Sequence, residues 1–542
     1  MGRSTHRFFS SFGWSLVGAM LLAIGFMPLG GYPIAWIALV PMLARWELRE
    51  VSWAYARELY AVFLMTSCFA GFWLLFHPDT GFALRGGVGL FLAPVPFAAA
   101  FVGASAVKAR WGLKAGLAIL GANLLAFEYL LLHSPLHAPW LLLGHTQADA
   151  TLFNQTADLG GVLMLSAWVY ALNVTALFVL PSVAKLPVTW TKRLQLMTRN
   201  RVGARGLALA AFFTLLAIPT AYGAYRMERL DAVSGYLRVG LVQPNMTPKD
   251  WDDPIAKSRV AYLASMSNQV VNVWNGNRYR PDSSTVMLPV SSTRPVSAAG
   301  DPAGVLIWPQ GALPHLGSAD RQIELVGRLD AWSDRMNVAL LTGAERLDGD
   351  GRKPFNGSVF LAPNREPARR DQSLRAPMFD YGAAAPADAA RESTFRLGQT
   401  SLGTVLGFES LFGEHVRDVT ADADVLVVLA QTDQWGHSPG VYQHLAYTQL
   451  RAIESRRAVV VSTVRGVSAL VQPDGSSERV ADWEDQGVVS LDVPIHQQTT
   501  LYARRGDWMG LLGLALALVG NVALVAGTRL RPAPVRSRKG RR

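Results

Sequence analysis

The 542 residues include a single cysteine, Cys68. An internal disulfide is therefore excluded, as is a metal site built on several thiolates. Cys68 sits in an apolar run at 65–75, where a small buried packing residue is the expected role. Charge is the second scarcity. Asp, Glu, Lys and Arg make up 17% of the chain, against about 25% in ordinary soluble domains. Half of the residues are hydrophobic, so the shortage of charge points to membrane segments. The formal net charge of +11 does not imply a nucleic-acid partner, because the basic residues cluster beside apolar runs, where they act as topology signals. A Gly-rich phosphate loop is lacking too: Gly86, Gly87 and Gly89 lie at the entry to an apolar run, and Gly349 and Gly351 lie in a turn. Nor does any His–Asp spacing suggest a metal site. No metal or cofactor is expected.

Eight apolar runs are present, and a membrane-spanning helix needs about 20 such residues. They are 12–29, 32–46, 59–76, 87–107, 113–132, 162–180, 207–225 and 508–526. The second is short and carries Pro33 and Pro41. The first reads as an uncleaved anchor, given the runs that follow it. Loops after the even-numbered runs are basic, with Arg45, Arg49 and Arg57, then Lys108, Arg110 and Lys114, then six Lys or Arg between 185 and 205. The tail adds seven more from Arg529 to Arg542, whereas loops after the first, third and fifth runs offer only Arg85. The positive-inside rule thus predicts a multi-pass protein of a bacterial inner membrane. Both termini would be cytoplasmic and the long segment before the last run periplasmic.

That segment, 236–500, separates a seven-span region at 1–235 from the eighth span and basic tail at 501–542. It alternates short β-branched runs with amphipathic stretches. Runs at 236–243, 305–308, 338–342, 359–361, 403–408, 425–430, 458–463 and 469–472 read as strands buried on both faces. Stretches 322–336 and 442–456 read as helices. The alternation predicts a layered α/β domain. Two segments, 277–304 and 382–391, read as mobile loops from their Ser, Pro, Gly and Ala content.

Several blocks carry a family resemblance. YLRVGLVQPN at 236–245, IWP at 307–309, LTGA at 341–344, FNGS at 355–358, FE at 408–409 and QHLAYTQLRAIESRR at 443–457 are six of them. STVRGVSALVQPDG at 462–475 continues the series, and MPLGGYPIAWIALVPML at 27–43, PWLLLGHTQ at 139–147 and LYARRGDW at 501–508 flank it. In this order they resemble the apolipoprotein N-acyltransferases over nearly the whole chain. The resemblance implies a helical membrane domain joined to a nitrilase-like αββα sandwich. It also implies an activity that moves an acyl chain from phospholipid to the N-terminus of a lipoprotein, without a cofactor. In that family a cysteine attacks the phospholipid ester, a glutamate is the general base, and a lysine stabilises the oxyanion.

None of the three is present here. The position after IWP is Gln310, an amide without basicity near neutral pH. The position before FE is Gly407, and an ungapped match after FNGS places Gln372 where the lysine belongs, with Arg369 and Arg370 close by as other sources of charge. With the nucleophile gone, a buried Glu and Lys would be costly ions without a task, whereas two glutamines can hydrogen-bond each other or the backbone. The expected function is therefore a non-catalytic lipid- or lipoprotein-binding or assembly partner, with phospholipid, a lipoprotein or another membrane protein as partner. The alternative is an acyltransferase working through other residues. Ser401, Thr404 and Ser410 lie near Gly407, with His415 and His444 as bases, and no G-x-S-x-G elbow accompanies them. Glu409 is expected to hold backbone and loop groups. Asp433, Trp435, Gln443 and His444 match the region that shapes the family's acyl pocket, although Trp435 also fits a core position. Arg451 and Glu454 read as a pair on a helix surface.

Overall fold

The structure is a computed structural model that describes residues 13, 16–48, 52–134, 139–179, 202–247, 257–274, 302–314, 319–347, 354–374 and 394–529. Among these, six stretches are long and apolar enough to cross a membrane: Trp53–Phe76, Thr80–Trp111, Leu113–His133, Phe153–Val179, Arg205–Glu228 and Trp508–Ala526. The described helices before the α/β domain are α1 (Leu16–Gly25), α2 (Tyr32–Ala38), α3 (Val40–Leu48), α4 (Trp53–Gly71), α5 (Thr80–Leu92), α6 (Pro94–Trp111), α7 (Leu113–His133), α8 (Ala157–Val179) and α9 (Val202–Glu228).

The first expected span lies partly outside the described residues, and its described part is the short helix α1. The second is broken. Pro41 has no N–H to give, and the ladder opens just before it. Leu39 donates its N–H to Asn173 Oδ1 at 2.8 Å, and Asn173 Nδ2 returns a bond to the Ala35 carbonyl at 2.7 Å. The two backbone groups that would bond each other in a continuous helix are thus bridged by one side chain of α8. That satisfaction matters where no water is at hand.

Among the described residues, the extramembrane region contains two six-stranded sheets. Its strands are β1 (Gly235–Gln243), β2 (Val305–Leu313), β3 (Ala339–Leu347), β4 (Pro354–Leu361), β5 (Ala368–Asp371), β6 (Thr394–Leu397), β7 (Thr400–Leu406), β8 (Val425–Ala430), β9 (Ala458–Thr463), β10 (Ser468–Val471), β11 (Ser477–Ala481) and β12 (Gly487–Ile495). One sheet runs β12-β1-β2-β3-β4-β5 and the other β11-β10-β9-β8-β7-β6. Strands β1–β3 are parallel, as are β7–β9, and the outer strands are antiparallel. The inner faces meet through Leu241, Ile307, Leu341, Leu406, Val427 and Val460.

Helices α10 (Lys257–Trp274) and α11 (Ala319–Met336) accompany the first sheet, whose outer face buries Leu263, Leu306 and Leu329 together. Helices α12 (Gly413–Thr420) and α13 (Pro439–Ser455) cover the second. Every residue of β8 is buried, as a strand covered on both faces requires. The core around α13 is continuous with the membrane helices, joining Val428, Leu445 and Leu450 to Phe26, Trp73 and Leu163. The chain closes with α14 (Leu501–Arg505) and α15 (Trp508–Arg529). Segments 277–301 and 382–391 lie outside the described residues.

Candidate functional site

The site forms where strands β2 and β7 end side by side with the membrane-facing loops. In β2 the ladder to β3 slips between Trp308 and Leu313, so Pro309–Gly311 bulge out of register and carry Gln310 with them. Gly343 in β3 allows this: a Cβ there would lie 2.4 Å from Gln310 Cα. At the end of β7 the chain turns through Gly407, whose φ of +49° is a left-handed conformation that favours glycine. A Cβ on Gly407 would point at Gln310, 2.9 Å from its Oε1. The amide oxygen of Gln310 thus borders the space into which a side chain at 407 would project. Gln372 follows β5 and is buried. Asn356 Nδ2 donates to its Oε1 at 3.1 Å, and its own Nε2 donates to the Leu374 carbonyl at 3.1 Å.

Glu409 is wholly buried and accepts bonds from every side. Its Oε2 meets Arg370 Nη2 at 2.8 Å and the Leu406 N–H at 2.9 Å. Its Oε1 takes the Ser373 and Leu374 N–H groups at 2.8 and 3.1 Å. Burial alone would raise this carboxyl, but Arg370, His415 and the Leu406 N–H together hold it well below the usual carboxylate range. Glu409 therefore fastens the segment after β5 to the turn at Gly407. Arg370 is committed to that task, and Arg369 is exposed.

His77, Gln310, Gly407, Gln434, Trp435 and His444 line a small pocket beside the turn. Trp435 packs against Trp73 and Phe408, with ring centroids 4.8 and 5.5 Å apart, so it is both a core residue and a wall of the pocket. Asp433 is buried in the short turn leading to Trp435. Gln443 points away from the pocket and ties the two regions together. It accepts from the indoles of Trp73 and Trp140 at 3.2 and 2.9 Å and donates to the carbonyls of Phe26 and Ala70. His77, whose Nε2 lies 2.7 Å from Gln434 Oε1, comes from the membrane region, as do Trp73 and Trp140. The sequence reading missed all three, although Trp140 opens the PWLLLGHTQ block.

Among the hydroxyls, Ser410 lies with its Oγ 3.1 Å from His444 Nε2 and 2.9 Å from the Gly407 carbonyl. His444 Nε2 is itself 3.3 Å from that carbonyl. Burial draws the imidazole down to about 4, against the opposing pull of the Gly407 carbonyl, so it is neutral at pH 7. Ser401 is held instead by Asp424, and Thr404 is buried in β7. The sequence reading also passed over the run Gly436–Gly440 (GHSPG), which has the letters of a nucleophile elbow. Ser438 there is the residue that precedes α13, several residues after β8, so the strand–nucleophile–helix geometry of an elbow is not formed.

One expectation changes. Arg451 and Glu454 do pair, at 3.0 Å, but both are buried rather than on a helix surface. The reason is the membrane region under α13: Glu454 Oε1 accepts the Val162 N–H at 3.1 Å. Burial, opposed by Arg451, raises the Glu454 carboxyl to about 8. His133, Glu414 and Asp507 also converge, with ligand atoms within 4.8 Å of one another. Their separation in sequence hides this cluster, and Arg417 already pairs with Glu414 at 2.8 Å.

Six apolar helical stretches, a two-sheet α/β domain seated on them, and a pocket at the junction define a membrane protein of the carbon–nitrogen hydrolase fold. Residues 238–501 match the carbon-nitrogen hydrolase family, and residues 18–175 match the apolipoprotein N-acyltransferase N-terminal domain. Over nearly its whole length the chain is similar to apolipoprotein N-acyltransferases. It is 25% identical to the apolipoprotein N-acyltransferase of Chlorobaculum tepidum, over 95% of this chain and 96% of that one. Identity is 22% to the Geobacter metallireducens protein, over 95% of both chains. To that of Gloeobacter violaceus it is 27%, over 93% of this chain and 92% of the relative.

Proposed function

We propose that this chain is a non-catalytic member of its family, a membrane protein that holds a phospholipid or lipoprotein without transferring its acyl chain. One observation carries the reading. The turn where the family's nucleophile belongs is Gly407, and the neighbouring group is the amide of Gln310 rather than a carboxylate. The pocket keeps apolar walls in Phe408 and Trp435 and neutral polar groups in Gln310, Gln434 and His444. Such a lining suits an ester-bearing lipid that is to stay intact. Native mass spectrometry of gently solubilised protein tests this. Phospholipid or diacylglyceryl peptide is expected to co-purify, and Gly407→Trp, which fills the pocket, is expected to remove most of it. Lipid retention that Gly407→Trp leaves unchanged would defeat the binding role.

A second reading has one observation in its favour, the 3.1 Å approach of Ser410 to His444. The Gly407 carbonyl weighs against it. Ser410 donates to that oxygen, and His444 Nε2 lies 3.3 Å from it, where an Nε2–H would be a donor rather than a base.

The orientation belongs to the same proposal: inner membrane, both termini cytoplasmic, and the α/β domain periplasmic. The basic loops support it. Reporter fusions in the 187–205 loop and after residue 530 are expected to signal cytoplasm, and a fusion near residue 290 periplasm. A cytoplasmic signal near 290 would reverse the topology.

A further inference from the structure

The polar side chains that line the pocket at Gly407 are His77, Gln310, Gln431, Thr432, Gln434 and His444, and no Asp, Glu, Lys or Arg is among the lining residues. His77 fixes the state of its neighbour. Its Nδ1 accepts the Asp79 N–H at 3.0 Å and therefore carries no proton. The proton of the neutral ring sits on Nε2 and is donated to Gln434 Oε1 at 2.7 Å. The Gln434 amide is thus held in one orientation, with its NH2 group left over. Gln434 is 8% exposed, and among the described residues that NH2 has no partner.

Gln310 is equally buried, and its amide makes no hydrogen bond to any described residue. Its Oε1 borders the Gly407 turn, where a Cβ would lie 2.9 Å away. Gln431 Nε2 and Thr432 Oγ1 are unpartnered too, but both atoms are fully enclosed and out of a ligand's reach. His444 is committed to Ser410 and the Gly407 carbonyl.

A buried polar group without a partner is costly, so two such amides on one small pocket favour a ligand that meets both. The unmet set is a donor on Gln434 and both a donor and an acceptor on Gln310. A secondary amide is its complement: the carbonyl accepts from an NH2 group, and the N–H donates to Gln310 Oε1. An ester offers the carbonyl alone. An ammonium group offers only donors, and it brings a charge that no lining carboxylate balances. Because the pocket is small, it takes the linking group and not the chains attached to it.

We propose that this pocket seats a secondary amide, and so holds a lipoprotein whose N-terminus is already acylated in preference to one with a free amine. The inference rests on the holding role proposed above and names the form that is held. Gln310 and Gln434 bind the amide, and His77 is a positioning residue that acts through Gln434.

The full-length protein in mild detergent is titrated with a fluorescent diacylglyceryl-cysteine peptide in three forms, and binding is followed by anisotropy. The forms carry a free N-terminal amine, an N-acetyl group, or an acetoxy group in which an ester oxygen replaces the N–H. The titration is run at about pH 6.5, where the free amine is an ammonium group. Internal peptide bonds are common to all three forms and cannot create a difference between them. The N-acetyl form is expected to bind about tenfold or more tighter than the free amine, with the ester form in between. Gln310→Glu, which introduces a carboxylate, is expected to erase or reverse that preference. Gln434→Met is expected to weaken the N-acetyl form about tenfold and to leave the free amine unchanged. If either variant fails to fold, the wild-type comparison still decides. Binding of the N-acetyl form that is matched by the free amine or by the ester form would overturn the amide seat and leave the holding role in place. Binding of none of the three would overturn the amide seat and the lipoprotein-holding role together.

Discussion

Incubated with radiolabelled phospholipid, the purified protein is expected to carry no covalent acyl group and to acylate no diacylglyceryl peptide, whatever the pH. The reason is the lack of a nucleophile at the turn, since Gly407 has no side chain and the sole cysteine, Cys68, lies in α4. The sharper experiment restores the family's residues together, as Gln310→Glu, Gln372→Lys and Gly407→Cys. Weak or no activity is expected. A cysteine at 407 has to adopt the left-handed φ of +49° and crowd the side chain at 310, whose Oε1 lies 2.9 Å from the new Cβ. The base would have to swing aside to make room. A lysine at 372 would lose the two bonds that Gln372 makes with Asn356 and the Leu374 carbonyl. Misplacement of about 1 Å costs on the order of 100-fold in rate, and each of these substitutions disturbs the contacts that would place its group. An acylated wild-type protein would sink this reading, and an acyl group mapped to Ser410 would establish the rival one. Robust thioester formation by the triple variant would mean that the scaffold still holds catalytic geometry.

Much of the α/β domain was legible because its interior strands are covered on both faces. Strands β1, β2, β3, β4, β7, β8, β9 and β10 coincide with runs of β-branched and aliphatic residues. The four strands that went unread, β5, β6, β11 and β12, are the four sheet edges. An edge strand has one neighbour and breaks its apolar run with polar or cyclic residues, as in Ala368–Asp371 (ARRD) or at Asp492 and Pro494 in β12. Gln310 and Gly407 could be placed from their sequence neighbours alone, but that they face each other could not. Their contact depends on a bulge in β2 and on Gly343 in another strand. The same limit explains Arg451 and Glu454. A helix covered on both sides has no free face, and the second cover comes from Val162, almost 300 residues earlier in the chain. The aromatic wall of Trp73, Trp140 and Trp435 escaped notice for the same reason, since its members come from three separate segments.

Replacing Glu409 with alanine is expected to be the most destabilising single change at the site. Arg370 is 2% exposed and would lose its counter-charge. Removing one partner of a buried ion pair costs about 3–5 kcal/mol, because the remaining charge stays out of water. The N–H groups of Leu406, Ser373 and Leu374 would also lose their acceptor. Glu409→Gln is expected to be nearly as harmful. Both carboxylate oxygens face donors, so the new NH2 group meets a donor whichever way the amide turns.

The pH dependence gives the same group a second signature. A carboxyl held below its ordinary value of 4.5 contributes stability above that value. The contribution is lost as pH falls towards the folded-state value, because in that window the unfolded chain binds the proton more readily. His444, drawn from 6.5 down to about 4, acts in the same direction between those two values. Glu454, raised from 4.5 to about 8, acts oppositely and loses stability as pH rises through that range. The comparison must therefore be between variant and wild type, with melting temperature followed in detergent. The gap between wild type and Glu409→Gln is expected to be widest above pH 5 and to close as the wild-type carboxylate is protonated. A gap that stays constant down to the lowest pH at which the protein is folded would mean that Glu409 is not held as an ion. Its place at the turn would then be a matter of packing alone.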